Sequence, residues 1–198
     1  MITKLNLYKE SILVPRNIEG RKDKLKQQNI RILSQESITG DLSIDESYDF
    51  DKELYKFIKV KEINGNVNIN LNYIPLWLEN VVINGNFNCS GKYKLTTLKG
   101  CPKIINGDFV CAYNSLASLK YGPEFVKGNY MCYASKLKSL KGCSKKINGN
   151  FDCSNNKLTS LEYSPEFVSG SYWCNNNQEK FTNEYVKTLC DVKNNIWC

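Results

Sequence analysis

A β-rich repeat solenoid is the architecture these 198 residues predict, and two observations carry that expectation. Related strings begin at Ile63, Ile83, Ile105, Val126, Ile147 and Val168, with spacings of 20, 22, 21, 21 and 21. Inside each string, apolar and polar residues alternate before a run that contains two leucines three apart. A fixed period of about 20–29 residues belongs to stacked coils, each too small to bury its apolar edge except against its neighbours. Identical strands laid side by side in such a stack predict a parallel β-sheet on the concave face.

Residues 1–37 fall outside the period and predict an N-terminal cap, with Leu5–Val14 as a strand and the basic run Arg21–Gln28 as a loop or short helix. The array is expected over residues 38–178, as about six to seven coils. Its first copy, at Ile38, is decayed and stretched to 25 residues, and Leu54, Phe57 and Ile58 stand in it at helical spacing. The best-preserved copy runs from Ile147 to Phe167. Numbered from Ile147, its positions one, five and seven (Ile147, Phe151, Cys153) read as the inward side of one strand. Glycine recurs at position three (Gly65, Gly85, Gly107, Gly128, Gly149, Gly170), which predicts a bend or a positive φ. Asn72, Asn114, Asn156 and Asn177 stand three residues past position seven, where an amide can bond a tight turn and the adjacent coil. Leucine pairs such as Leu158 and Leu161 face the core from the return arm. Residues 179–198 predict a C-terminal cap. Thr182 opens a helix with Glu184 in its first turn, Tyr185, Val186, Leu189 and Cys190 form its apolar face, and Asn194–Cys198 adds a last strand.

Written F-x-C-x-x-N-x-L-x-x-L, the coil resembles the leucine-rich repeat, and N-K-L-T-S-L at Asn156 to Leu161 resembles the short bacterial version. The G-[ND]-[FY]-x-C and L-K-G-C-P elements resemble repeat proteins encoded by bacteriophages and other microbial viruses. The resemblance implies a leucine-rich-repeat-like solenoid and a host enzyme or defence component as its target. Phe or Tyr at position five and Cys at position seven depart from the family's leucines. Alternation of K-G-C-[PS] at Lys99 and Lys141 with K-Y-G-P at Lys120 and E-Y-S-P at Glu162 adds a 42-residue superperiod, as if two-coil units had been copied.

The nine cysteines follow the repeat: Cys89, Cys111, Cys132, Cys153 and Cys174 form one column, Cys101 and Cys143 another. Parallel side chains on stacked strands do not converge as a disulfide requires. They read as reduced, small, buried hydrophobes of a reducing cytoplasm. The chain has no histidine and no C-x-x-C pair, so neither a metal site nor a cofactor is expected. Without a histidine base or a phosphate-binding loop, it does not read as an enzyme. No stretch reads as a signal peptide or membrane span, which predicts a cytoplasmic protein.

Function is expected on the outward positions four, six and eight. Column four (Asn66, Asn86, Asp108, Asn129, Asn150, Ser171) reads as turn chemistry beside the glycines. Around the middle coils, Val110, Tyr113, Met131 and Tyr133 form an apolar, aromatic patch, the composition of a protein-binding hot spot. Asp152 and Trp173 continue column six, although Trp173 would also fit beneath the C-terminal cap. A second column, Lys99, Lys120 and Lys141, ends at Glu162 and suits an anionic partner or a solvated edge. The coils from residue 63 to 178 carry 12 Lys/Arg against 6 Asp/Glu, which makes nucleic acid the second candidate partner. One partner protein, bound through the strand face, is the first; the oligomeric state stays open.

Overall fold

The computed structural model describes residues 30–45, 57–91 and 94–198. The strand expected at Leu5–Val14, the basic run Arg21–Gln28 and most of the helical spacing near Leu54 lie outside them. The described chain is a parallel β-solenoid in which each coil contributes a strand to two sheets rather than one. In the best copy, Lys146–Ile147 and Phe151–Asp152 are separate strands, divided at Asn148, Gly149 and Asn150. The first strands, from Ser37–Thr39 to Asp191–Val192, form one eight-stranded parallel sheet. The second strands, from Leu42–Asp45 to Ile196–Trp197, form another of the same size. Eight strand pairs joined by return arms make about seven turns. The single sheet expected from the sequence is therefore corrected to two, which meet at the glycine column.

That column explains the division. None of its six glycines lies in the left-handed region, where the described positive-φ glycines are Gly40, Gly100 and Gly142. Their constraint is between coils: a Cβ at Gly149 would lie 2.6 Å from the carbonyl carbon and oxygen of Gly128 and 2.7 Å from the Asn129 nitrogen. Every glycine of the column approaches the preceding one's carbonyl in this way. Beside it, column four ties each coil to the next. The Asn86 Oδ1 accepts from the Asp108 N–H at 2.8 Å and the Asp108 Oδ1 from the Asn129 N–H at 2.7 Å. The Asn129 and Asn150 Oδ1 atoms accept from the Asn150 and Ser171 N–H groups, both at 2.8 Å.

Register follows. Ile38 stands opposite Ile63 and Leu42 opposite Val67, which aligns the stretched first copy with the rest. Val192 and Ile196 stand opposite Val168 and Tyr172, so residues 191–197 add an eighth strand pair. Inside, Phe87, Phe109, Tyr130, Phe151 and Tyr172 are fully buried in one aromatic column, with successive ring centroids 4.8–6.2 Å apart. The leucine pairs close the other side.

The inner asparagines act as expected in three coils. Asn156 donates from Nδ2 to the carbonyls of Cys132 (3.0 Å) and Cys153 (3.1 Å), while its Oδ1 accepts the N–H groups of Ser135 and Leu137, both at 2.9 Å. Asn114 and Asn177 repeat the pattern. Asn72 is exposed instead. Ser135 stands in for asparagine in the intervening coil, its Oγ donating to the Cys111 carbonyl at 2.9 Å.

The last return arm holds helix α1, Asn183–Leu189, whose first turn is capped as Thr182 Oγ1 accepts from the Tyr185 N–H at 3.2 Å. Val186 and Cys190 are buried, whereas Tyr185, expected on the apolar face, is exposed. The expectation that all cysteines are reduced is also corrected. Cys174 and Cys198 are disulfide-bonded, because the last coil brings their Cα atoms to 4.7 Å, within the range a bridge can span. The other seven are free thiols. No helix among the described residues is long and apolar enough to cross a membrane.

The 42-residue superperiod has a packing basis. Eight residues before each core aromatic stands Cys101 or Cys143 where that aromatic is Phe109 or Phe151, but Gly122 or Ser164 where it is Tyr130 or Tyr172. The Ser164 Oγ and the Tyr172 hydroxyl are 2.6 Å apart. The Tyr130 hydroxyl, buried near Gly122, has no hydrogen-bond partner among the described residues. Tyr172→Phe is therefore expected to destabilise by about 1 kcal/mol, whereas Tyr130→Phe is neutral or stabilising, since it removes a buried unpaired hydroxyl. Urea denaturation of both variants measures the difference.

Gly149→Ala, which forces backbone apart, is expected to cost roughly 1–3 kcal/mol. Gly91→Ala, where the nearest atom among the described residues is 3.8 Å from the added carbon, is expected to leave the denaturation midpoint essentially unchanged.

Candidate binding surfaces

The parallel register decides which outward side chains meet. Val110, Met131, Asp152, Trp173 and Trp197 are successive neighbours across the second sheet, so column six forms one continuous row. All but Trp197 are half-buried; Trp197 is 53% exposed. Column eight behaves differently from its sequence reading. Ala112 and Ser154 are buried and Tyr133 is half-buried, because the chain leaves the strand there. The next residue turns through positive φ in four successive coils: Tyr113 (56°), Ala134 (51°), Asn155 (54°) and Asn176 (56°). This turn swings Tyr113, 49% exposed, against Tyr133 of the following coil, edge to face with centroids 5.1 Å apart. Burial, with the neighbouring Tyr113 phenol adding to it, pushes the Tyr133 phenol above its usual pKa. Four of the expected residues thus come together on adjacent coils: Val110, Met131, Tyr113 and Tyr133.

Asp152 interrupts the row and bonds within its own strand end, its Oδ1 accepting from the Ser154 N–H at 2.9 Å. Trp173 sits beyond it and, with Trp197, Ile196, Asn175, Asn183 and Cys198, lines an open hollow of about 480 Å³.

Lys99, Lys120 and Lys141 are exposed on the turns of the return arms, away from both sheets. Their backbone N–H groups bond Thr97 Oγ1, Ser118 Oγ and Ser139 Oγ at 3.1–3.5 Å. The residue after each of these lysines, and after Glu162 in the next coil, is again in positive φ: Gly100 (95°), Tyr121 (69°), Gly142 (96°) and Tyr163 (66°). For the tyrosines that conformation costs roughly 1–2 kcal/mol, which glycine avoids. Tyr121 and Tyr163 were not singled out by sequence reasoning. The glycine that alternates with them was the available signal.

A second missed row lies on the outward face of the first sheet, where Val82, Ile104, Phe125, Lys146 and Phe167 follow one another in register. They stand immediately before position one of each coil, and their alternation with the buried Ile/Val column marks them as outward. Lys146 Nζ lies 5.4 Å and Lys193 Nζ 5.7 Å from the centre of the Phe167 ring.

The thiol column is chemically quiet. Cys132 and Cys153 donate S–H to the carbonyls of Asp152 and Trp173, both at 3.3 Å. Burial pushes the thiols of Cys89, Cys101, Cys111, Cys132, Cys143 and Cys153 well up, and that of Cys190 up to about 12. Compared with protein-family models, curated proteins and solved structures, the chain finds no match in any of the three, so its surfaces are read from their own chemistry.

The buried thiols give a pH dependence. An unfolded thiol ionises near pH 8.5, whereas the folded ones keep their protons above that, so the unfolded chain binds fewer protons there. The stability they contribute is full below about pH 8.5 and falls above it, by about 1.4 kcal/mol per pH unit for each such thiol. The melting temperature is expected to hold to about pH 8 and to drop steeply between about pH 9 and 11. A Cys111→Ala/Cys132→Ala variant should show a slope smaller by about two protons, whatever its absolute stability.

Proposed function

We propose that this chain is a non-enzymatic binding module that holds one partner protein on the outward face of its second sheet. Val110, Met131, Tyr133 and Tyr113 form the centre of that contact, and Asp152 and Trp173 its edge. The observation that supports this reading is the packed Tyr113–Tyr133 pair beside the Val110–Met131 neighbours, bounded along the row by Asn88 on one side and Asp152 on the other. Tyrosine and methionine anchors ringed by polar groups are what a protein interface concentrates its energy on. The core gains little from Tyr113, which is half exposed and held in positive φ.

In this reading the solenoid is a short leucine-rich-repeat-like module of the bacterial or bacteriophage type, acting in the cytoplasm on a host enzyme or defence component. The inner asparagines support the leucine-rich-repeat likeness, since Asn114, Asn156 and Asn177 bond the turns of neighbouring coils from the position where that repeat carries its asparagine.

The test compares three versions of the chain as bait in host lysate: the natural chain, a Met131→Asp/Tyr133→Asp variant and an Asn148→Asp control at the exposed corner between the two sheets. The expected result is one partner retained by the natural chain and the control, with affinity for the double variant reduced about 100-fold and its circular dichroism unchanged. Equal affinity for all three would remove the patch assignment.

A further inference from the structure

The return-arm turns carry a second set of exposed aromatic and cationic side chains, separate from the sheet face proposed to hold a partner protein. Tyr121 and Tyr163 hold strained, positive-φ positions that Gly100 and Gly142 fill in the alternate coils. They are 42% and 47% exposed, so burial does not account for their presence. Strain kept where packing does not need it points to a task outside the fold.

Gly142, between the two tyrosines, cannot itself be large. A Cβ there would come within 3.0 Å of the Leu119 carbonyl and the Lys120 Cα. Adjacent coils are about 4.8 Å apart, so Tyr121 and Tyr163, two coils apart, flank a notch roughly 10 Å wide at its base. Rings leaning across such a notch can sandwich one planar group, which needs about 3.5–4 Å on each face.

Cations border the notch. Lys120 Nζ lies 4.9 Å from the Tyr121 ring centroid and Lys141 Nζ 5.9 Å from that of Tyr163. Among the described residues, Lys99, Lys120 and Lys141 form no ion pair. Lys61, Lys103 and Lys145 are paired with Glu36, Glu124 and Glu166. Those three lysines each face a glutamate of the adjacent coil, whereas Lys99, Lys120 and Lys141 follow one another without a carboxylate between them.

We propose that this edge binds single-stranded nucleic acid, with one base entering the notch above Gly142 between Tyr121 and Tyr163 and the phosphates following Lys99, Lys120 and Lys141. Flat rings interleaved with cations are the two elements that single-strand binding uses, the rings for bases and the cations for phosphates. An acidic peptide would match the lysines but bring no planar group to the notch, and a duplex keeps its bases stacked inside. Glu162, in the place of the next lysine, ends the track and makes the site short.

The experiment is fluorescence anisotropy of the full chain with a labelled oligothymidylate of about eight nucleotides. Tyr121→Gly and Tyr163→Gly remove the rings while relaxing the backbone, so folding is preserved. Each should weaken binding about 10-fold, with melting temperature unchanged or raised. The logarithmic salt slope should be near −2, about −0.7 for each of three lysines, and should flatten in Lys120→Gln/Lys141→Gln. The proposal is overturned by absence of saturable binding at about 50 mM salt. Glycine variants that bind like the natural chain would also overturn it, as would a poly-glutamate peptide or a duplex of equal length competing as well as the single strand.

Discussion

Close approach of backbone to backbone at the glycine corner is the constraint on which the rest of this solenoid depends. Gly65 to Gly170 are not there to let the chain turn through an unusual dihedral; they are there because the preceding coil occupies the space a side chain would need. Once two coils touch at that point, the column-four side chains bond across the contact and the register is set for both sheets at once. Coil length then matters little. Ile38 to Ile63 is 25 residues, Val168 to Val192 is 24 and Ile63 to Ile83 is 20, yet all stand opposite one another. The return arms absorb the difference, including a helix in the last one.

Translational stacking makes the core a set of columns, and columns impose their own selection. A phenol in the aromatic column brings an oxygen that must be accommodated, and the residue eight positions earlier shrinks from cysteine to glycine or serine where it occurs. The same two-coil rhythm governs the outer turn, where Gly100 and Gly142 alternate with Tyr121 and Tyr163. The superperiod is therefore written twice, inside and outside, and a duplication of two-coil units conserves both sets of contacts together. Cys111, Cys132 and Cys153 suit this geometry: each is small enough to stack in a column, Cys132 and Cys153 donate weakly to backbone carbonyls, and burial suppresses the thiolate.

Much of this was legible in the sequence because repetition turns one local pattern into many concordant ones. The inward Ile, Phe/Tyr and Cys columns, the bonding role of Asn114 and Asn156 and the cap at Thr182 were all readable from spacing and side-chain chemistry. The division into two sheets was not, because positions one, three, five and seven keep the parity of a single strand even when Gly149 bends between them. Nor was the burial of Ala112 and Ser154, since alternation extrapolates through a strand end that the positive-φ turn has already closed. Ser135 in the asparagine column escaped because the pattern looks for an amide, while a hydroxyl can also donate to the Cys111 carbonyl and accept from the Asn114 N–H. The Cys174–Cys198 bridge depends on how the last coil is placed, which column arithmetic does not encode.

A solenoid separates the residues that stack from those that do not, and that separation is what gives its surface meaning. Every inward or corner residue answers to the coil on either side, so its identity is explained once the neighbours are known. Tyr121 and Tyr163 answer to no such demand and Tyr113 only to Tyr133: each is half exposed, each sits in a backbone conformation that disfavours it, and other coils fill the same turns with Ala, Asn or Gly. Column six is freer still, running through Asn88, Val110, Met131, Asp152 and Trp173 while the Phe and Tyr beneath it scarcely change. Where the fold's requirements repeat and the residues do not, stacking leaves the identity of the side chain unspecified. That contrast, rather than exposure alone, is the physical ground on which recognition is proposed for these side chains.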